Sequence, residues 1–300
     1  MLAVSLVTLG SPSQLTGGYL YHQRMADAAP AHGADVRFLS FPALPFPVPA
    51  VSGPAVLRRA AARDVVVIDS IAAAFLAPAL RLAPFSCPLV AVVHQAMGGI
   101  DHGPFRTRLQ APLDRSVYRR ADCVIAASEA LAADLVAGGL PPARIEVIPP
   151  GCDVGTPAAP LPDLRQGRAA AFVSVGNWVA RKGLVELLEA FRRLPPEVAT
   201  LHLVGRDDVD PAYAGRVRRE LDRPELAGRV VVHGAVSRDD VATLLTAADA
   251  FVLASVEEPY GTVYGEALAM GLPLAGWRAG NLPHLAEDGR EAVLAPPADI

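Results

Sequence analysis

The 300-residue sequence is short of cysteine, of aromatic residues and of long apolar runs, and each shortage excludes a class of protein. Its three cysteines, Cys87, Cys123 and Cys152, form no CxxC pair and have no histidine at metal-ligand spacing. They read as reduced thiols in or near a core, which rules out a disulfide scaffold and a structural zinc site. The longest apolar run covers residues 71–80 and contains Pro78, whereas a membrane span needs roughly 20 residues. No basic region precedes the apolar residues 1–10, so that stretch reads as a buried strand rather than a signal peptide. A cytoplasmic location is the expectation. The chain also lacks a surplus of one charge, with 27 Lys+Arg against 31 Asp+Glu, and this excludes a nucleic-acid binder that works by neutralising phosphates.

What is present is apolar and globular: 52% of residues are hydrophobic and 19% charged, which is incompatible with disorder. The length predicts two domains. Short β-branched runs at 2–9, 35–39, 65–68, 89–93, 123–126 and 146–148 each lead into an Ala/Leu/Arg-rich helical stretch. A second series starts at 171–175 and continues at 200–204, 229–233, 250–253 and 272–275. Runs without polar alternation are expected of parallel strands covered on both faces. The chain therefore reads as α/β, with a domain over 1–155, a Pro- and Ala-rich linker over 156–168 and a second domain over 169–300. Two doubly wound domains would face a central cleft at the carboxyl ends of their strands, where ligands of this class bind.

The most informative segment is Glu258-Pro-Tyr-Gly261-Thr262-Val263-Tyr-Gly-Glu266-Ala-Leu-Ala-Met-Gly271. Glu258 falls in a loop after a strand, and Glu266 in the first turns of a helix that opens near Gly261. A carboxylate accepts hydrogen bonds from two adjacent hydroxyls, which suits a hexose edge or a ribose diol. The amides of Gly261, Thr262 and Val263 at the helix start suit a diphosphate. The alternative is structural, with Glu258 capping the helix and Glu266 paired with an arginine. A second segment, Gly176-Asn177-Trp-Val-Ala-Arg181-Lys182-Gly183, joins a strand to the helix after it and is a plausible anion cradle, with Lys182 as its main cation. In the first domain, Thr16-Gly17-Gly18-Tyr19 follows the first strand, and two glycines permit positive φ and expose amides. His94 ends a strand at the edge where clefts form; the alternative is a histidine that satisfies strand-end carbonyls. Ser128 reads as the cap of the following helix. Arg106, Arg108, Arg115, Arg119 and Arg120 could present a basic face to an anionic lipid or acceptor, but Asp114 and Asp122 dilute it and favour a solvated surface.

Taken together, Glu258, Gly261, the run Glu266-Ala267-Leu268-Ala269 and Gly271-Leu272-Pro273 resemble the E-x7-E signature of the retaining family 4 glycosyltransferases of the group 1 type. The resemblance implies a GT-B fold of two Rossmann-like domains and a hexosyltransferase that uses a nucleoside diphosphate sugar as donor. It gives Glu258 the sugar, Glu266 the ribose, Lys182 and Arg181 the diphosphate, and Gly17, Gly18, Gly261, Thr262 and Val263 the donor phosphates. It puts His94 beside the donor sugar and main-chain groups near His233 and Gly234 at the base. His94, Lys182 and Glu258 are then the catalytic candidates. The acids Asp207 and Asp208 follow Val204-Gly205-Arg206, the usual loop of this fold's second domain, so neither a metal nor another cofactor is expected. Retention follows from the family, and the acceptor is a small molecule, a glycan or a lipid-linked group.

The sequence also departs from the pattern. Asn177 stands where an arginine is usual, so either Arg181 supplies that charge or the site works with one cation fewer. His284 replaces a glutamate after Pro283, which puts that contact with the donor in question. The chain stops at Ile300, where relatives continue through crossover helices, so looser domain closure is expected. A degenerate transferase that only binds nucleotide or glycan, and a nucleotide-sugar epimerase on the same fold, are the competing readings.

Overall fold

The computed structural model describes residues 1–12, 17–82 and 85–298. Thr16, Asp299 and Ile300, which the sequence reading used, lie outside them. The chain divides into two compact units, Met1–Gly151 and Cys152–Ile300.

In the first unit, strands β1 (Leu2–Leu9), β2 (Ala34–Phe41), β3 (Val65–Asp69), β4 (Leu89–Val93), β5 (Cys123–Ala126) and β6 (Ile145–Val147) form one parallel sheet in the order β2-β1-β3-β4-β5-β6. Between them run α1 (Gly17–Ala28), α2 (Gly53–Ala60), α3 (Ser70–Leu82), α4 (Pro104–Arg120) and α5 (Glu129–Ala137). The order reverses between β1 and β3, the kind of position at which doubly wound sheets bind ligands. The long apolar run is helix α3, buried on nearly every side against α2, α4 and the sheet. Ser128 caps α5, its Oγ accepting from the Leu131 amide at 3.1 Å.

In the second unit, β7 (Ala170–Val175), β8 (Ala199–Val204), β9 (Val230–Gly234), β10 (Ala250–Leu253), β11 (Leu274–Trp277) and β12 (Ala292–Ala295) form a parallel sheet in the order β12-β11-β10-β7-β8-β9. Its helices are α6 (Leu184–Arg192), α7 (Pro211–Leu221), α8 (Arg238–Ala247), α9 (Thr262–Ala269) and α10 (Leu282–Leu285). Helix α6 buries Leu184, Leu188 and Phe191, one stripe at helical spacing. Both sheet faces are covered: Phe251, Leu253, Tyr264 and Leu274 pack on one side, and Trp178, Leu188, Phe191 and Leu201 on the other. Each such side chain contributes about 1.5–3 kcal/mol by leaving water.

Three details differ from the sequence reading. Strand β11 begins at Leu274 rather than at 272, because Gly271 takes φ +78° and the Leu272 amide donates to the Ala267 carbonyl at 3.0 Å, so both residues finish α9. Strand β12 has no counterpart among the predicted runs; its four residues are too few to register as a pattern. Residues 156–168, read as a linker, belong to the second unit, where the Thr156 amide donates to Asp239 Oδ1 and the Ala158 amide to Thr243 Oγ1, both at 2.8 Å.

Candidate active site

In the second unit the order of strands reverses between β7 and β10, and the two segments singled out in the sequence leave the carboxyl ends of these neighbours. The turn after β7 carries Arg181 and Lys182 and ends at Gly183, with φ +63°. A Cβ at Gly183 would lie 1.8 Å from the Ala254 carbonyl oxygen, so only glycine lets this turn approach the end of β10 so closely. The two loops are then stitched together: the Val256 amide and Ser255 Oγ both donate to the Arg181 carbonyl, at 2.9 and 3.0 Å.

Stitching brings the charges together. Lys182 Nζ donates to Glu258 Oε2 with only 8% and 12% of the two side chains exposed, and Arg181 Nη1 lies 3.7 Å from the same oxygen. The stem of Lys182 runs over Gly176, where an added Cβ would sit 3.2 Å from Cε. Behind Glu258, Gly280 and Asn281 close the loop: the Asn281 amide donates to the Glu258 carbonyl and its side-chain amide to the Tyr260 carbonyl, each at 3.0 Å. Gly261 caps α9 with φ +83°, without a side-chain cap, so Glu258 does not cap this helix. The amides of Thr262 and Val263, in its first turn, have no carbonyl of their own helix to bond. Two cations, a carboxylate and a helix N-terminus thus surround the switch point.

Glu266 sits apart from this cluster. Its Oε1 is 3.6 Å from Arg238 Nη2, which also donates to the Asp153 carbonyl, so the arginine pairing held out as an alternative is present. These residues, with Gly155, Val175 and Val241, line a cavity of about 70 Å³ beside the end of β7. Burial raises the Glu266 carboxyl above its ordinary range; Arg238 pulls it down and Asp153 pushes it up. Arg238 was missed in the sequence because nothing local distinguishes an arginine that opens a helix. Asn177 accepts from the Arg206 amide through Oδ1 at 3.2 Å, and Arg206 and Arg218 pair with Asp208 and Asp207. His284 is exposed on α10.

In the first unit Gly18 and His94 meet. A Cβ on Gly18 would stand 2.6–2.9 Å from the imidazole of His94. Gly18 lies within α1 and has no positive φ, so glycine is required there for close approach, not for the backbone freedom the sequence suggested. Gly17 opens the same helix and is exposed. His94, whose side chain is 15% exposed, places Nε2 2.7 Å from Asp69 Oδ1. The ring also bonds its own backbone at the end of β4, so the strand-end alternative is present beside the pairing with Asp69.

Asp69 is fully buried at the end of β3. It accepts from Thr8 Oγ1 at 2.6 Å and from the Ile71 amide at 3.1 Å, and His22 Nε2 lies 3.2 Å from its Oδ2. Burial alone would push this carboxyl up, but the charge and hydrogen bond of His94, with His22 close by, outweigh it and hold the carboxyl well below the usual range. Burial would lower His94, yet Asp69 raises it. The sequence reading missed Asp69 and His22. The available signals were an acid ending an apolar strand, and a histidine four residues after Gly18 on the same helical face. One ligand atom from each of His22, Asp69 and His94 lies within 4.8 Å of the others, a spacing able to hold a metal ion.

Comparison with known proteins agrees with this architecture. Residues 2–151 match the family model of the glycosyl transferase 4-like domain, and residues 169–300 that of glycosyl transferases group 1. Mannosylfructose-phosphate synthase of Agrobacterium fabrum is 31% identical over 210 residues, 65% of this chain and 46% of that protein. Alpha-maltose-1-phosphate synthase of Mycolicibacterium smegmatis is 30% identical over 195 residues, 61% of this chain and 50% of that one. The chain thus spans about half the length of these curated relatives. Among solved structures, sucrose-phosphate synthase from Thermosynechococcus elongatus superposes with a TM-score of 0.82 at 20% identity, covering 100% of this chain and 87% of that one. Anabaena HepE in complex with UDP-glucose gives 0.77 at 23% identity, covering 98% and 85%. The fold shared with these neighbours is GT-B.

Proposed function

The chain belongs to the glycosyl transferases that join a 4-like domain to a group 1 domain, and on that premise we propose that it moves a hexose from a nucleoside diphosphate sugar to an acceptor, with retention of configuration. The observation that carries the proposal is the convergence of Lys182, Arg181 and Glu258 beside the N-terminus of α9 at the switch point of the second sheet.

Each group has a task in such a reaction. Lys182, Arg181 and the amides of Gly261, Thr262 and Val263 neutralise the departing diphosphate in place of a metal ion, and preorganised charge of this kind is the largest contribution to many rate enhancements. Glu258 accepts from sugar hydroxyls while remaining bonded to Lys182, so sugar and phosphate are held by one connected pair. Glu266 takes the ribose diol, with Arg238 keeping its carboxylate oriented. The family resemblance assigns His94 to a sugar hydroxyl and Gly17 and Gly18 to the donor phosphates. The acceptor is a small molecule, a glycan or a lipid-linked group. The three free cysteines fit work in the cytoplasm.

Incubation with radiolabelled UDP-glucose and other nucleotide sugars tests this. The wild type should hydrolyse or transfer at least one donor, and EDTA should leave the rate unchanged. Lys182→Ala should lower kcat by about a hundredfold or more, the cost of removing one charge-stabilising donor. Undiminished turnover by Lys182→Ala would discard the assignment, and nucleotide binding without hydrolysis or transfer would point to a degenerate transferase.

A further inference from the structure

We infer that the outward face of α4 is a docking surface for an anionic lipid bilayer. The inference goes beyond the donor site and does not depend on it. A helix on a globular protein normally turns its large apolar residues inward. The first half of α4 does the reverse: Gln110 and Asp114 are buried, whereas Phe105 is 77% and Leu109 47% exposed. Residues 105, 108, 109, 112 and 119 recur at helical spacing and are all exposed, so Phe105, Arg108, Leu109, Pro112 and Arg119 form one outward stripe.

The two acids that argued for an ordinary solvated face are turned elsewhere. Asp114 is 1% exposed and its Oδ2 accepts from the Gly98 amide at 2.9 Å. The Asp122 carboxylate accepts from the Leu89 amide at 2.9 Å, at the start of β4. The stripe therefore keeps its arginines without those carboxylates among them. The patch also widens sideways, because the Arg106 guanidinium lies 5.4 Å from the centroid of Phe46, tying α4 to the segment in which Val48 and Val51 are 50% and 87% exposed.

Apolar side chains interleaved with arginines match one partner chemistry well. Phenylalanine, leucine and valine enter the boundary between headgroups and acyl chains, while arginines bind lipid phosphates, and neither contribution suffices alone. The net charge of −4 leaves this stripe a local cationic feature, unlike the broad basic field of a nucleic-acid binder.

Sedimentation of the full chain with vesicles is the test, using phosphatidylcholine alone and phosphatidylcholine mixed equally with phosphatidylglycerol. The wild type should pellet with the anionic vesicles, weakly with the neutral ones, and less as salt rises. Phe105→Ser with Leu109→Ser, and separately Arg108→Glu with Arg119→Glu, should each reduce partitioning by about tenfold or more. All four positions are exposed, and unchanged circular-dichroism melting would verify that the variants fold. Wild type that stays in the supernatant, or variants that pellet like wild type, would overturn the inference. So would retention on a soluble polyanion such as heparin without vesicle binding.

Discussion

Asp69 and His94 are 25 residues apart in the chain yet form a buried pair at 2.7 Å, and their mutual shifts set a pH window. Asp69 is held below its ordinary 3.8, so its contribution to stability is present above that pH and is lost as pH falls through the lower folded value. His94 is raised above 6.5, so its contribution is present below 6.5 and is lost as pH rises through the higher folded value. The pair therefore stabilises most between these ordinary values. Asp69→Asn should cost about 3–5 kcal/mol in that window, the usual effect of removing one partner of a buried ion pair. Urea titration would measure the loss, and NMR titration should show the His94 imidazole losing its proton at lower pH than in wild type. An unshifted His94 would mean that Asp69 does not govern it. His94 itself was legible as a strand-end histidine; its partner was not, since an acid after Ile68 looks like any turn residue until β3 and β4 lie side by side.

At the scale of elements, α4 carries a second buried acid with the opposite shift. Burial raises Asp114 from its ordinary 3.8 to about 7, although the Gly98 amide and Gln110 oppose it. Between about 4 and about 7 the folded chain holds a proton that the unfolded chain has released, so stability should fall as pH rises through that interval, then level off. The shift corresponds to something on the order of 4 kcal/mol. Asp114→Asn should flatten this part of the stability profile, which thermal melts across the same interval would detect; an unchanged slope would place its origin elsewhere. The exposed stripe of the same helix is the complement of this inward turn. Helix periodicity was readable along α4, but not which face is the inner one, because Leu109, Gln110 and Asp114 assign it against their usual preferences.

For the molecule as a whole, two compact units give a built-in reporter. Both tryptophans, Trp178 and Trp277, are buried in the second unit, so tryptophan fluorescence follows the unfolding of that unit. A nucleoside diphosphate held by Lys182, Arg181 and α9 should raise the fluorescence-detected Tm by about 5 °C or more at a hundredfold excess over Kd. UDP is the first to try. A fluorescence transition unmoved by every nucleoside diphosphate would remove the donor site from the second unit. Among the described residues no helix is long and apolar enough to cross a membrane.

The sequence alone determined the α/β class, the division near the middle of the chain, the turns that carry Lys182 and Glu258 and the helix that carries Glu266. All of these are local matters, of strand runs, helix caps and glycine turns within a few residues of one another. Tertiary structure alone decided the pairings: Lys182 with Glu258 across 76 residues, Glu266 with Arg238, His94 with Asp69 and His22, and Asp114 facing inward. Strand order is the physical reason. Setting β10 beside β7 and β4 beside β3 chooses which distant side chains share a low-dielectric pocket, and no spacing along the chain encodes that choice.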